Sequence, residues 1–211
     1  MVGRPRCERL PAANWLQQFQ RTQSGLSVSL QTALTVDVVA DVLNGRYDLG
    51  FLEGELAELD QATLGRMRVQ DIEYFVTVSA DHPLAAQAAI SIHELSKLPL
   101  INRQPTSRAR CWLEAQLQAY GVNAPSVVEL DSPGAIKYAL LSEGQMGYAI
   151  LPRYAVEREV QRHELLLIPL SETELKRPLL LVWNKEKPFT PIQRAFIALL
   201  AQDAPQLQIL L

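Results

Sequence analysis

Apolar residues recur along this chain with two periods, and the two alternate almost from end to end. In "PAANWLQQFQRTQSG" (11–25), Trp15, Leu16 and Phe19 keep helical spacing and Gly25 supplies a stop. "LSVSLQ" (26–31) alternates as a strand, and "TVDVVADVLNG" (35–45) is a second helix with Thr35 as N-cap and Gly45 just past its end. "YDLGFLEG" (47–54) reads as a buried strand. "TLGRMRVQDIEYFVTVSADHPL" (63–84) reads as two strands separated near Gln70 and Asp71, the second broken by "DHP". The rhythm continues with strand "LPLINR" (98–103), helix "SRARCWLEAQLQAYG" (107–121), strand "PSVVEL" (125–130) and helix "RYAVEREVQRHE" (153–164). Strands "LLLIPL" (165–170) and "RPLLLVWNK" (177–185) and helix "TPIQRAFIALLAQ" (190–202) close it. Strands alternating with helices predict an α/β fold with a parallel or mixed sheet. Chain crossovers are expected at Ala80–Pro83 and around Ser171–Pro178.

The stretch "DSPGAIKYALLSEGQMGYAILP" (131–152) shows how the pattern can carry chemistry. Ser132 offers an oxygen to free amides and Pro133 follows where no donor is needed. Ala135, Ile136, Ala139 and Leu140 make one apolar face, Gly144 allows the turn out, and "GYAIL" enters the sheet. Packing alone accounts for all of this. The free amides of such a helix mouth also favour an anion, by about 0.3–1 kcal/mol.

The arrangement occurs three times. Thr32 and Thr35 stand at one mouth; Gln104, Thr106 and Ser107 at another, beside Arg103, Arg108 and Arg110; Asp131 and Ser132 at the third. Ligands of open α/β sheets lie beyond the carboxyl ends of strands. Hydroxyl-bearing mouths, one of them arginine-rich, suit a small carboxylate or phosphate. The arginines read equally well as solvated charges at a helix start.

Composition narrows the field. With 211 residues, 48% of them hydrophobic, the chain can bury a sizeable core. A net charge of -3 argues against these residues themselves gripping nucleic acid. Cys7 and Cys111 are too few for a disulfide scaffold and are expected as unpaired thiols. The expectation is a cytoplasmic protein without signal peptide or membrane span. "SIHELSK" lacks the second histidine of a zinc helix, since Lys97 stands in its place. His82, His93 and His163 read as surface or locally hydrogen-bonded residues. Glu53 and Glu55 read as a solvated strand-end rim rather than an acid–base pair. No catalytic residue, metal site or cofactor is expected.

Taken in order, "VDVVADVLNGRYDLGFLEGE", "FVTVSADHPLA", the 131–170 stretch and "RPLLLVWNK" resemble the effector-binding domain of LysR-type transcriptional regulators. The resemblance covers nearly the whole chain from about Leu10. It implies a two-lobed fold like type 2 periplasmic binding proteins, with Rossmann-like lobes joined by two crossover strands. Lobe I would hold residues 8–79 plus 173–205, and lobe II residues 80–172. The implied function is sensing of a small anionic effector, an organic acid or phosphorylated metabolite, in the cleft between lobes. The implied contacts are Thr32, Thr35, Thr106, Ser107 and Ser132; the helix-mouth reading adds Arg103, Gln104 and Asp131 as candidate contacts.

The resemblance further implies a homodimer or tetramer. Trp15 and Phe19, one helical turn apart, read as core or as partner surface; the resemblance favours partner surface, together with "LSVSLQ", opposed by the helix that opens at Ser132 and "GYAIL" of the other subunit. Promoter DNA would be met only through a helix-turn-helix domain that these residues do not contain. In the place of the family's first strand stands "MVGRPRC", where Gly3 and Pro5 suit a central strand poorly. The rival reading is a solute-binding receptor or a lyase on the same fold.

Overall fold

A computed structural model describes residues 11–23, 25–55, 62–142 and 147–211. Cys7, the first-strand position at 1–7 and the Gly144 stop lie outside them. The elements run α1 (Pro11–Thr22), α2 (Thr35–Leu43), β1 (Gly50–Glu53), β2 (Leu64–Ser79), β3 (Leu100–Arg103), α3 (Arg108–Ala119) and β4 (Ser126–Leu130). They continue α4 (Pro133–Leu141), β5 (Ala149–Pro152), α5 (Arg153–Gln161), β6 (Leu165–Ile168), β7 (Leu175–Asn184) and α6 (Pro191–Leu200). The chain divides into two compact units, residues 10–72 with 177–211 and residues 73–176. β2 and β7 therefore each pass from one unit to the other.

In the first unit β7 lies between β1 and β2. It runs antiparallel to β1, with Gly50 opposite Val182 and Leu52 opposite Leu180. α2 lays Val39 and Val42 on this sheet against Leu52, Leu64 and Val182. A Cβ at Gly50 would stand 2.8 Å from Val38 and 2.9 Å from Val182, so a larger residue would push α2 off the strand. α1 buries Ala12, Trp15 and Phe19, one stripe at helical spacing.

In the second unit β2 pairs antiparallel with β5 (Tyr74 opposite Pro152) and with β6 (Val76 opposite Ile168). β3 and β4 form a parallel pair. A parallel bridge between Leu100 and Tyr148 links β3 to the residues entering β5. The core gathers Ile101, Ile136, Leu140, Ala149, Leu151, Val156 and Leu165, drawn from strands and from one face each of α4 and α5. Tyr148 is fully buried, and its hydroxyl donates to the Leu95 carbonyl at 3.1 Å. Burial pushes that hydroxyl's pKa above its ordinary value.

Four expectations are corrected. Residues 26–31 form no strand: Leu26 and Val28 are half-buried while Leu30 is exposed, and no described strand pairs with them. β2 is unbroken at Gln70 and Asp71. Trp15 and Phe19 are core residues of the chain itself, at 4% and 3% exposure, and not partner surface. "GYAIL" is likewise interior, since Tyr148, Ala149, Ile150 and Leu151 are all buried.

α4 and α5 are tied by Lys137, whose Nζ donates to Glu159 Oε1 at 2.8 Å. Burial works against the Glu159 carboxylate, but the Lys137 hydrogen bond and the charges of Lys137 and Arg162 outweigh it and lower its pKa. The pair's stabilisation is therefore complete above the ordinary carboxylate value of 4.5 and is lost as pH falls through the lower folded value. Lys137→Met is expected to flatten this part of the acid-unfolding curve, measured by urea denaturation from pH 5.5 downward. An unchanged slope would show that Lys137 does not set it.

Candidate functional site

β3 and β4 run in parallel with Asn102 opposite Glu129 and Arg103 opposite Leu130, so the chain leaves both strands at one edge. The Gln104 amide donates to the Leu130 carbonyl at 2.9 Å and joins the two exits. Asn102 is buried where β3 ends. Its Nδ2 donates to Ser126 Oγ at 3.1 Å, and its Oδ1 accepts from the Arg103 amide at 2.8 Å.

Two helix mouths open from this edge. At α3, Ser107 is the N-cap, its Oγ accepting from the Arg110 amide at 3.4 Å and its carbonyl from the Cys111 amide at 3.0 Å. At α4, Ser132 Oγ accepts from the Ala135 amide at 3.2 Å, and Pro133 takes the next position, where it has no donor to leave unpaired. Both serines are half-buried, whereas Gln104, Thr106 and Asp131 are exposed. Arg103 is half-buried, and its Nε is buried with no hydrogen-bond partner among the described residues. A buried cationic donor left in that state favours an incoming anion.

Arg110 is committed elsewhere. Its guanidinium donates to Glu114 Oε1 (2.6 Å), Glu129 Oε1 (2.6 Å) and the Arg103 carbonyl (2.8 Å). Burial opposes its charge, but the hydrogen bonds to Glu114 and Glu129 outweigh burial and raise its pKa above the ordinary value. Arg108 is exposed.

The structure thus brings Arg103, Gln104, Thr106, Ser107, Asp131 and Ser132 to one edge of the second unit. Thr32 and Thr35 belong to the first unit, at the start of α2. There the N-cap is Leu34 and not Thr35; leucine has no hydrogen-bonding side chain, so no side chain caps α2. Thr35 is the first helical residue and half-buried, and Thr32 is exposed.

Glu53 is not a solvated rim. It accepts from Arg177 Nη1 at 3.3 Å, and its carbonyl accepts from Arg177 Nη2 at 3.0 Å. Arg177 is buried, which the strand pattern of "RPLLLVWNK" did not signal. His82 is buried and locally hydrogen-bonded, with Nδ1 accepting from the Leu84 amide. Cys111 is an exposed free thiol. Among the described residues no group of three or more His, Cys, Asp or Glu is placed to hold a metal ion, and no helix is long and apolar enough to cross a membrane.

Residues 8–205 match the family model of the LysR substrate binding domain. A probable RuBisCO transcriptional regulator of Synechocystis sp. is 28% identical over 182 residues, covering 85% of this chain and 52% of that protein. The HTH-type transcriptional regulator CysL of Bacillus subtilis is 24% identical, covering 89% and 61%. The chain thus spans between half and two thirds of the length of these relatives. Among solved structures, the Synechocystis PCC6803 CcmR regulatory domain in complex with 2-PG is similar at a TM-score of 0.79 and 25% identity, over 92% of this chain and 91% of that one. The effector-binding domain of QuiR in complex with shikimate shares the fold at a TM-score of 0.74 and 16% identity, over 92% and 90%.

Proposed function

The chain belongs to the LysR substrate-binding domain family, and on that premise we propose that it is the effector-sensing part of a transcriptional regulator, binding a small anion where α3 and α4 begin. The observation that carries this is the edge of β3 and β4: two serine-capped helix mouths side by side, with the Arg103 Nε buried and unanswered between the strand and its loop. Arg103 supplies charge, Ser107 and Ser132 supply hydroxyls, and Gln104, Thr106 and Asp131 are the exposed polar groups around them. Thr32 and Thr35 are candidate contacts at the uncapped start of α2. The ligands carried by the CcmR and QuiR domains, 2-PG and shikimate, are both small anions and support that class.

The two units correspond in this reading to lobes I (8–79 plus 173–205) and II (80–172). The protein works in the cytoplasm as a homodimer or tetramer and meets promoter DNA through a separate domain. The exposed Val127 and Val128 of β4 and Tyr138 and Leu141 of α4 offer apolar area for the self-contact. Regulation requires the ligand to bind one conformation better than another, since equal affinity shifts nothing. The regulators among its relatives favour this reading over a solute receptor or a lyase.

A thermal-unfolding panel of 2-PG, shikimate, inorganic phosphate, sulfate and small carboxylates tests it. A ligand at a hundredfold its Kd stabilises by about 2.7 kcal/mol. For a chain of this length that raises Tm by roughly 5–10 °C. Ser107→Ala and Ser132→Ala each remove a cap and lower the unliganded Tm, so the ligand-induced rise within each variant is the quantity compared. The rise is expected to shrink in both. No rise with any anion would remove the proposed site.

A further inference from the structure

Arg110 stands in the first turn of α3, where a cation is opposed by the helix dipole, so its presence calls for a reason. Its contacts supply one. Nη1 reaches back to the carbonyl of Arg103, the last residue of β3, and across to Glu129 of β4, while Nε holds Glu114 one turn further along α3. Its backbone amide meanwhile donates to Ser107 Oγ. A single residue joins a helix start to the ends of two neighbouring strands. The loop between Arg103 and Ser107 is fixed at one end by the Gln104 amide on Leu130 and at the other by Arg110.

We infer that Arg110 is a positioning residue: it sets the α3 mouth against the ends of β3 and β4, and so sets the spacing of Ser107, Ser132 and Arg103, without touching ligand. The inference rests on the anion reading given above. Glu114 and Glu129 answer the Arg110 charge and the side chain is 13% exposed, so the cation facing a ligand is Arg103 and not Arg110. An isolated Arg–Glu pair along α3 would explain the Glu114 contact but not the reach to β3 and β4.

The test is calorimetric titration of the 211-residue chain with 2-PG and with inorganic phosphate, beside amide hydrogen exchange at Gln104. Arg110→Met is expected to weaken binding at least tenfold and to speed Gln104 exchange, while amides in the later turns of α3 keep their protection. Arg110→Lys, which keeps a cation between the Arg103 carbonyl and Glu129, is expected to stay within threefold of the unaltered chain. Glu114→Gln, which leaves both strand contacts in place, is expected to bind normally. Should Arg110→Met fail to fold, Glu129→Gln removes only the β4 carboxylate and is expected to weaken binding more than Arg110→Lys and Glu114→Gln do; a Glu129→Gln chain that binds as they do overturns the positioning role. Binding that Arg110→Met leaves unchanged, or that Glu114→Gln weakens as much, overturns the positioning role and leaves the anion reading standing. Failure of both probes to bind the unaltered chain overturns both.

Discussion

Phe19→Ala is expected to destabilise the chain by about 3–5 kcal/mol, the range for truncating a buried aromatic side chain. Phe19 packs edge-on against Phe196 with ring centroids 5.2 Å apart, and Phe196 meets Phe51 at 6.4 Å. Trp15 lies over Phe51 at 5.5 Å and donates from Nε1 to Asp203 Oδ2 at 3.2 Å. α1 is thus held by aromatic rings from β1 and α6, each pair adding about 0.5–1.5 kcal/mol to the area it buries. Alanine leaves a cavity that three rigid rings cannot close. The effect belongs to the folding of one chain, so urea unfolding should show the same loss at low and high protein concentration. A loss below about 1 kcal/mol, the scale of surface changes, or one that appears only at high concentration would return Phe19 to an interface between copies.

Arg177→Met is expected to cost about 3 kcal/mol, at the lower end of the range for breaking a buried ion pair because Glu53 keeps some access to water. Arg177 fills the space beside Gly54, whose φ of 95° is a conformation that side chains resist. Its guanidinium satisfies both the carboxylate and the carbonyl of Glu53. Loss of the cation leaves those acceptors underpaired in a poorly hydrated place. Glu53→Met in the same chain should recover part of the loss, with a coupling of about 1–3 kcal/mol in a double-mutant cycle by urea denaturation. Strictly additive losses would mean that the two residues act independently.

The proposed anion edge was legible where one residue determines its own surroundings. Ser132–Pro133 marks a helix start whatever lies nearby, and Ser107 caps α3 by the same local logic. The α2 start failed that logic: Thr35 is a good cap by type, but the backbone turns one residue earlier, at Leu34. Residues 26–30 alternate as a strand does, yet alternation describes a face and cannot supply a neighbour for the backbone. In β2 the pattern is interrupted at Gln70 and Asp71 because the buried face changes: Val69 is buried on one side, then Ile72, Tyr74 and Val76 on the other. A one-residue change of phase moves the whole buried set to the opposite face, and here it falls where the chain passes from one unit to the other.

Arg110 and Arg177 were illegible for a common reason. The Arg110–Glu114 spacing could be read along a helix, but Glu129 lies 19 positions away and Glu53 lies 124 from Arg177. Such partners are known only once strands are paired. Trp15 and Phe19 failed differently, because an apolar helical stripe fits a core and a partner surface equally well.

The most direct measurement is a titration of the 15N-labelled chain with 2-PG and, separately, inorganic phosphate, followed by amide shifts. Saturable shifts are expected at Gln104–Arg110 and Ser132–Ala135, and they should diminish together in Ser107→Ala and Ser132→Ala. Saturable shifts confined to other parts of the chain, or none at millimolar concentrations of either anion, would contradict an anion site at the α3 and α4 mouths.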